Sequence, residues 1–287
     1  MSVRQRIVAG TAATLSWQAA DQHGEPADPG TTTVVVTRSA GSTAVASTTA
    51  TEDGTLRTVT LPAGENTGPD LLTATWTGTT AVESTTIDVA GGVYFTEAEL
   101  RDHERSVSVQ AEYLPADVRT QRRIVEDTFE RSTGVAFVPR FSIVTPSADQ
   151  VPLRAVRSVS WVLLDDSAGT VVTTSLDRYC EITDQALVML TGGVAKVGVV
   201  HGFDRPPSDV WRAAMRFCRH LLAGTNPGID FRPMATINPD GSRDQFATPG
   251  VADWETGIPE VDAVLKDYRR RADRTPRSFR TMPWVGS

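Results

Sequence analysis

The first ninety or so residues contain almost nothing that would start a helix, and this restricts what they can build. Threonine and valine recur in short runs: S-V-R-Q-R-I-V, T-L-S-W-Q-A-A, T-T-V-V-V-T-R, T-A-V-A-S-T-T-A, L-R-T-V-T-L-P, L-L-T-A-T-W-T and V-E-S-T-T-I-D-V. β-Branched side chains suit a pleated, half-buried surface. Turn formers separate the runs at Gly24–Pro29, Asp53-Gly54 and Gly64–Pro69. Seven such runs in this space predict a two-sheet sandwich of the immunoglobulin or fibronectin kind. Trp17 and Trp76, each flanked by alternating residues, are expected as core anchors. No cysteine falls here, so the sandwich would be disulfide-free, and it is acidic, with four Arg and no Lys against nine Asp and Glu.

The period changes after Ala90-Gly91-Gly92. Thr96 and Glu99 have the spacing of a capping box, each side chain able to satisfy an amide at the helix start. A second helix is expected from Pro115 to about Ser132. Val118, Val125 and Phe129 line one side with Ile124 beside them, and Gly134 supplies the left-handed exit. Arg119, Arg122, Arg123, Glu126 and Glu130 are read as its solvent face. Between Phe137 and Phe203 the period returns to two. D-D-S-A-G and T-G-G each join a pair of strand-like runs, which predicts a small antiparallel sheet inserted between helices.

Pro206-Pro207 closes the insertion, and Ser208 is the expected N-cap of the strongest helix in the chain. Val210, Ala213, Ala214, Phe217 and Leu221 form its apolar face, widened by Trp211, Met215, Cys218 and Leu222. A long loop, Thr225–Gly257, leads to a last helix with Pro259 in its first turn and Val261, Val264, Leu265 and Tyr268 as its stripe. The expected fold is therefore α+β and multidomain. An immunoglobulin-like β-sandwich occupies residues 1–92. A mainly helical domain occupies 93–287, with helices at about 96–134, 208–223 and 259–270, a β insertion at about 137–205 and an extended arm at about 269–287.

Little in the sequence resembles a catalytic constellation. His23, His103, His201 and His220 share no metal-ligand spacing, and Cys218-Arg219-His220 are helix neighbours that do not face one another. There is no nucleophile elbow and no phosphate-binding glycine fingerprint. Cys180 and Cys218 are expected as buried, reduced thiols. Asp165-Asp166 reads as a turn. The expectation is a protein that is not an enzyme, with no cofactor, no metal site and no catalytic residue. A thiol hydrolase using Cys180 or Cys218 is the enzyme alternative. The opening M-S-V-R-Q-R-I-V-A-G lacks the apolar core of a secretory signal, and no run approaches the ~18 apolar residues of a membrane span. Synthesis in a cytoplasm, with no membrane partner, is the expectation.

The charge pattern points elsewhere. The chain carries a formal charge of -7, yet Leu265–Ser287 holds Lys266, Arg269, Arg270, Arg271, Arg274, Arg277 and Arg280 against Asp267 and Asp273. Phe279, Met282 and Trp284 are interspersed among the arginines. Arg, Trp and Met are favoured interface anchors, so the segment is read as an arm that docks on a protein partner. Clamping of nucleic acid by the same residues is disfavoured by the acidic body.

A linked set of segments carries a resemblance: Y-F-T-E-A-E-L-R, P-A-D-V-R-T-Q-R-R-I-V-E-D-T-F-E-R-S-T-G-V-A-F-V-P-R, L-R-A-V-R-S-V-S-W, V-V-H-G-F-D-R-P-P-S-D-V-W-R-A-A-M-R and, most distinctive, F-A-T-P-G-V-A-D-W-E-T-G-I-P-E-V-D-A-V-L-K-D-Y-R-R. From Val93 onward the chain resembles the head-to-tail adaptor proteins of long-tailed bacteriophages, especially those of actinobacteria. The resemblance implies a virion protein, assembled in the host cytoplasm, that forms a ring of about twelve copies in the neck. Its partners would be the portal protein, the stopper or tail-completion protein, and genomic DNA passing through the lumen without specific binding. It also implies that a C-terminal arm, here Arg269, Arg270, Arg271, Arg274, Arg277, Phe279, Arg280, Met282 and Trp284, reaches the portal. The sandwich lies outside the resemblance, and a glycan-binding module anchored to a virion or cell surface is the alternative reading.

Overall fold

The computed structural model describes residues 5–273 except 22, 24, 40–43, 109–111, 147–149, 152, 154, 167, 184–186, 226–234, 238–242 and 246–255. The chain is mixed α+β, with four α-helices and several sheets among the described residues. It divides into two compact units, residues 1–93 with 136–205, and residues 94–135 with 206–287.

The first unit begins with eight strands: β1 (Gln5–Val8), β2 (Ala13–Gln18), β3 (Thr33–Arg38), β4 (Ala44–Thr49), β5 (Thr51–Asp53), β6 (Leu56–Leu61), β7 (Asp70–Thr77) and β8 (Val82–Ala90). They form a five-stranded sheet in the order β1-β8-β7-β3-β4 and a three-stranded sheet in the order β2-β6-β5. All neighbours are antiparallel except β1 and β8, which run parallel. Alternation along each strand sends one set of side chains inward. Leu15, Trp17, Val34, Val36, Val59, Leu61, Leu72, Ala74, Trp76, Ile87 and Val89 form one core from both sheets. Trp17 and Trp76 stack with centroids 5.9 Å apart and an interplanar angle of 23°. The Trp17 indole donates to Glu83 Oε2 at 2.8 Å. Arg57 is 1% exposed, which its charge does not foretell. It is held by the carbonyls of Gly30, Gly54 and Leu56 and by the Asp28 carboxylate.

The same unit continues with β9 (Arg140–Val144), β10 (Gln150–Val151), β11 (Val156–Leu164), β12 (Val171–Val172), β13 (Cys180–Ile182), β14 (Leu187–Met189) and β15 (Val194–His201). These make sheets β12-β11-β15-β9 and β10-β14-β13. Val162, Cys180, Leu187, Met189, Val197 and Val199 are their shared core. Of the two expected hairpins one forms, β11 pairing with β12; the strands that flank T-G-G do not pair, since β14 joins β10 and β13 whereas β15 joins β11 and β9 in the other sheet. Gly198 is required by packing, since a Cβ there would lie 2.4 Å from the Trp161 ring and 2.8 Å from Phe141.

The sequence reading groups this insertion with the helices, whereas its contacts group it with the N-terminal strands. Buried charges account for this. Asp88 on β8 pairs with Arg6 on β1 at 3.1 Å and with Arg140 on β9 at 3.8 Å, and the Gly91 amide donates to the Pro139 carbonyl at 2.8 Å.

The second unit contains α1 (Glu97–His103), α2 (Pro115–Thr133), α3 (Ser208–Thr225) and α4 (Pro259–Asp273). Thr96 and Glu99 form the expected capping box, and Gly134 ends α2 at φ +66°. α2, α3 and α4 pack on one another through Val118, Val125 and Phe129, through Val210, Ala214, Met215, Cys218 and Leu222, and through Val261, Leu265 and Tyr268, all buried.

Several local expectations need correction. Ile124 is 44% exposed, and Glu126, expected in solvent, is 3% exposed. Position 126, three residues before Phe129, lies at the edge of the packed face, and the Tyr94 amide donates to its carboxylate at 3.0 Å. Ser208 is the first residue of α3 rather than its cap, because the Trp211 amide already reaches the Pro207 carbonyl at 2.8 Å. The stretch expected as a plain loop between α3 and α4 holds an antiparallel pair, β16 (Ala235–Ile237) and β17 (Arg243–Gln245).

Candidate partner-binding surfaces

The arginine-rich segment begins as helix. α4 runs to Asp273, so Arg269, Arg270 and Arg271 lie in its last turns and not in an extended arm. Positive charge at a helix C-terminus is favourable to the helix itself, by about 0.3–1 kcal/mol per group. Arg274, Arg277, Phe279, Arg280, Met282 and Trp284 lie outside the described residues. α4 is fixed by its buried stripe and by Tyr268, whose hydroxyl donates to Asp209 Oδ1 on α3 at 3.2 Å. Arg216 on α3 also pairs with Glu260 on α4. At the start of α4, Asp262 Oδ1 accepts both the amide and the hydroxyl of Thr256 at 2.9 Å.

The candidate nucleophiles are placed poorly for attack. Cys180 and Cys218 are buried free thiols. Burial pushes Cys180 upward, and it pushes Cys218 up to about 12. Arg122 opposes that rise and Glu126 adds to it. The thiolate is the reactive form, so both groups are held in the unreactive one. His201 and Ser142 do meet, with Nε2 and Oγ 2.9 Å apart. Burial lowers the His201 pKa, and Arg140, opposite it on β9, lowers it further, while Asp88 raises it. A base that must take up a proton is handicapped by such a neighbour. His103 stacks edge-on against Trp211, 5.3 Å between centroids, and its Nδ1 lies 3.5 Å from Glu104.

Asp166 behaves as a turn residue. Hydrogen bonds from Thr170, hydroxyl first and then amide, hold its carboxyl below the ordinary range. Among the described residues no three His, Cys, Asp or Glu side chains gather as a metal-binding group, and no helix is long and apolar enough to cross a membrane. Trp17 and Trp76 are 6% and 0% exposed, so neither offers a ring face to a sugar.

One surface feature is absent from the sequence reading. Arg157, Ser158 and Val159 of β11, Leu176 and Asp177 of the following 3-10 turn, Cys180, Glu181 and Ile182 of β13, and Leu190 line an open cleft of about 560 Å³. Ile182 and Leu190 are 42% and 51% exposed at its edge. The alternation C-E-I was the available signal, but three residues are too few to tell a lining strand from a core one.

No family model matches the chain, and no curated protein matches it in sequence.

Proposed function

We propose that the chain is a structural virion protein, a head-to-tail adaptor whose copies form a ring between the portal of a phage head and the stopper or tail-completion ring. In this reading residues 1–92 are an immunoglobulin-like sandwich and the helical unit is the adaptor body. The observation that carries the reading is α4. A helix locked to α2 and α3 by Val261, Leu265 and Tyr268 delivers a run of arginines from a rigid base, in the block that most resembles adaptors. An arm on a fixed base loses less freedom on docking than one on a loose tether, and many arms acting together offset weak single contacts.

The acidic balance of the chain, -7 overall, suits a wall past which DNA slides, since each lumenal Lys or Arg adds phosphate affinity. Burial, which raises both thiols, favours a structural role over a thiol hydrolase. Co-sedimentation with the portal ring of the same genome tests the proposal, comparing the full chain with a truncation ending at Asp273. Binding by the full chain alone supports the arm. Binding by both keeps the adaptor and removes the arm, and binding by neither overturns the reading. In particle assembly, Arg274→Glu, Arg277→Glu and Arg280→Glu together are expected to leave heads and tails unjoined.

A further inference from the structure

The cleft between β11 and β13 has two properties that together select an occupant. Both of its walls are strand edges. Among the described residues β13 pairs with β14 alone, and β12 pairs only with Val162 and Leu163, so the Arg157–Val159 stretch of β11 has a ladder partner only on the β15 side. Unpaired backbone of this kind accepts an added strand. The cleft is also acidic over an aliphatic floor. Arg157 is paired with Asp204 at 2.5 Å, while Asp177 and Glu181 have no ion pair among the described residues. Val159, Leu176, Ile182 and Leu190 supply apolar contact.

The complementary ligand is an extended segment with arginines, apolar side chains and free amide hydrogens. This chain contains one. Pro276 and Pro283 bracket Arg277–Met282, R-S-F-R-T-M, in which every residue can donate to a strand edge. We infer that the cleft receives the Arg277–Met282 segment of a second copy of this chain, added as a strand along the free edge of β13, with Arg277 and Arg280 serving Asp177 and Glu181. The inference rests on the ring reading, because a contact between two unlike surfaces is the kind that closes a ring. The portal then competes with the cleft for the same arm.

Hydrogen exchange of the full chain, measured over a wide range of protein concentration, tests this. Amides of residues 180–182 should exchange more slowly as concentration rises, by roughly tenfold at about 90% occupancy, since protection grows as 1 + [L]/Kd. The double variant Arg277→Glu/Arg280→Glu should lose the protection, as should Asp177→Lys/Glu181→Lys, and combining all four changes should restore it. Unchanged exchange in β15, in the same unit as the cleft, certifies the fold of each variant; should a cleft variant misfold, Phe279→Ser in the arm replaces it. Exchange independent of concentration, or indifferent to the charge reversals, overturns the proposal. The portal experiment reads out separately: portal binding without cleft protection removes only this inference, and cleft protection without portal binding removes only the adaptor.

Discussion

Glu126 carries its carboxylate into the packed face of α2, where it takes the Tyr94 amide and lies 3.9 Å from Arg122. Removing one partner of a buried pair leaves the rest uncompensated, at a cost of about 3–5 kcal/mol. Glu126→Ala should therefore lower the unfolding free energy read from urea denaturation by an amount of that order, while Ile124→Ala on the exposed side should change it little. His201 gives a dependence on pH. Its folded pKa is lowered, so the unfolded chain takes up the proton first. Stability from this group is complete above about pH 6.5 and is lost as pH falls through the folded value. His201→Gln should flatten that part of a stability–pH curve. Gly198→Ala meets the Trp161 ring, and overpacking of this kind costs about 1–3 kcal/mol, readable as a lowered melting temperature. None of these three residues announces its role in sequence. Periodicity gives a face only to within about one residue, and Glu126, one position from Val125, falls inside that margin.

Among the elements, legibility followed length and repetition. The runs with alternating β-branched residues became β1–β8, with Thr51–Asp53 as the one added strand. The capping box at Thr96 and the αL exit at Gly134 were readable because each rests on local chemistry. Thr96→Ala should cost about 1 kcal/mol and show as faster amide exchange in the first turn of α1. The shortest strands were legible only where a longer run enclosed them: β12 and β14 fall inside the strand-like runs beside the two turns, whereas β10, two residues long, left no signal. Their conformation is set by the strands they join and not by their own composition. The cleft was hidden, since its walls come from segments separated by a turn. α4 continues to Asp273, past the expected end at about 270, and Arg271 and Ala272 are good helix formers that the charge pattern obscured.

At the scale of the molecule, the chain enters its first unit, leaves after residue 93, returns at 136 and leaves again after 205. Deleting residues 1–93 therefore removes Asp88 from Arg140 and the Gly91 amide from Pro139. The remaining fragment should be cut by trypsin within 136–205 much faster than the full chain, a comparison that limited proteolysis makes directly. The interleaving also sets a timetable on the ribosome. Residues 94–135 emerge with Val118, Val125 and Phe129 ready for partners on α3 and α4, which follow only after the whole 136–205 segment has been made. At about 5–20 residues per second that is a wait of roughly 4–14 s. Over that interval α2 is a nascent amphipathic helix with an open apolar face, and a chaperone that covers it would govern the yield of folded protein.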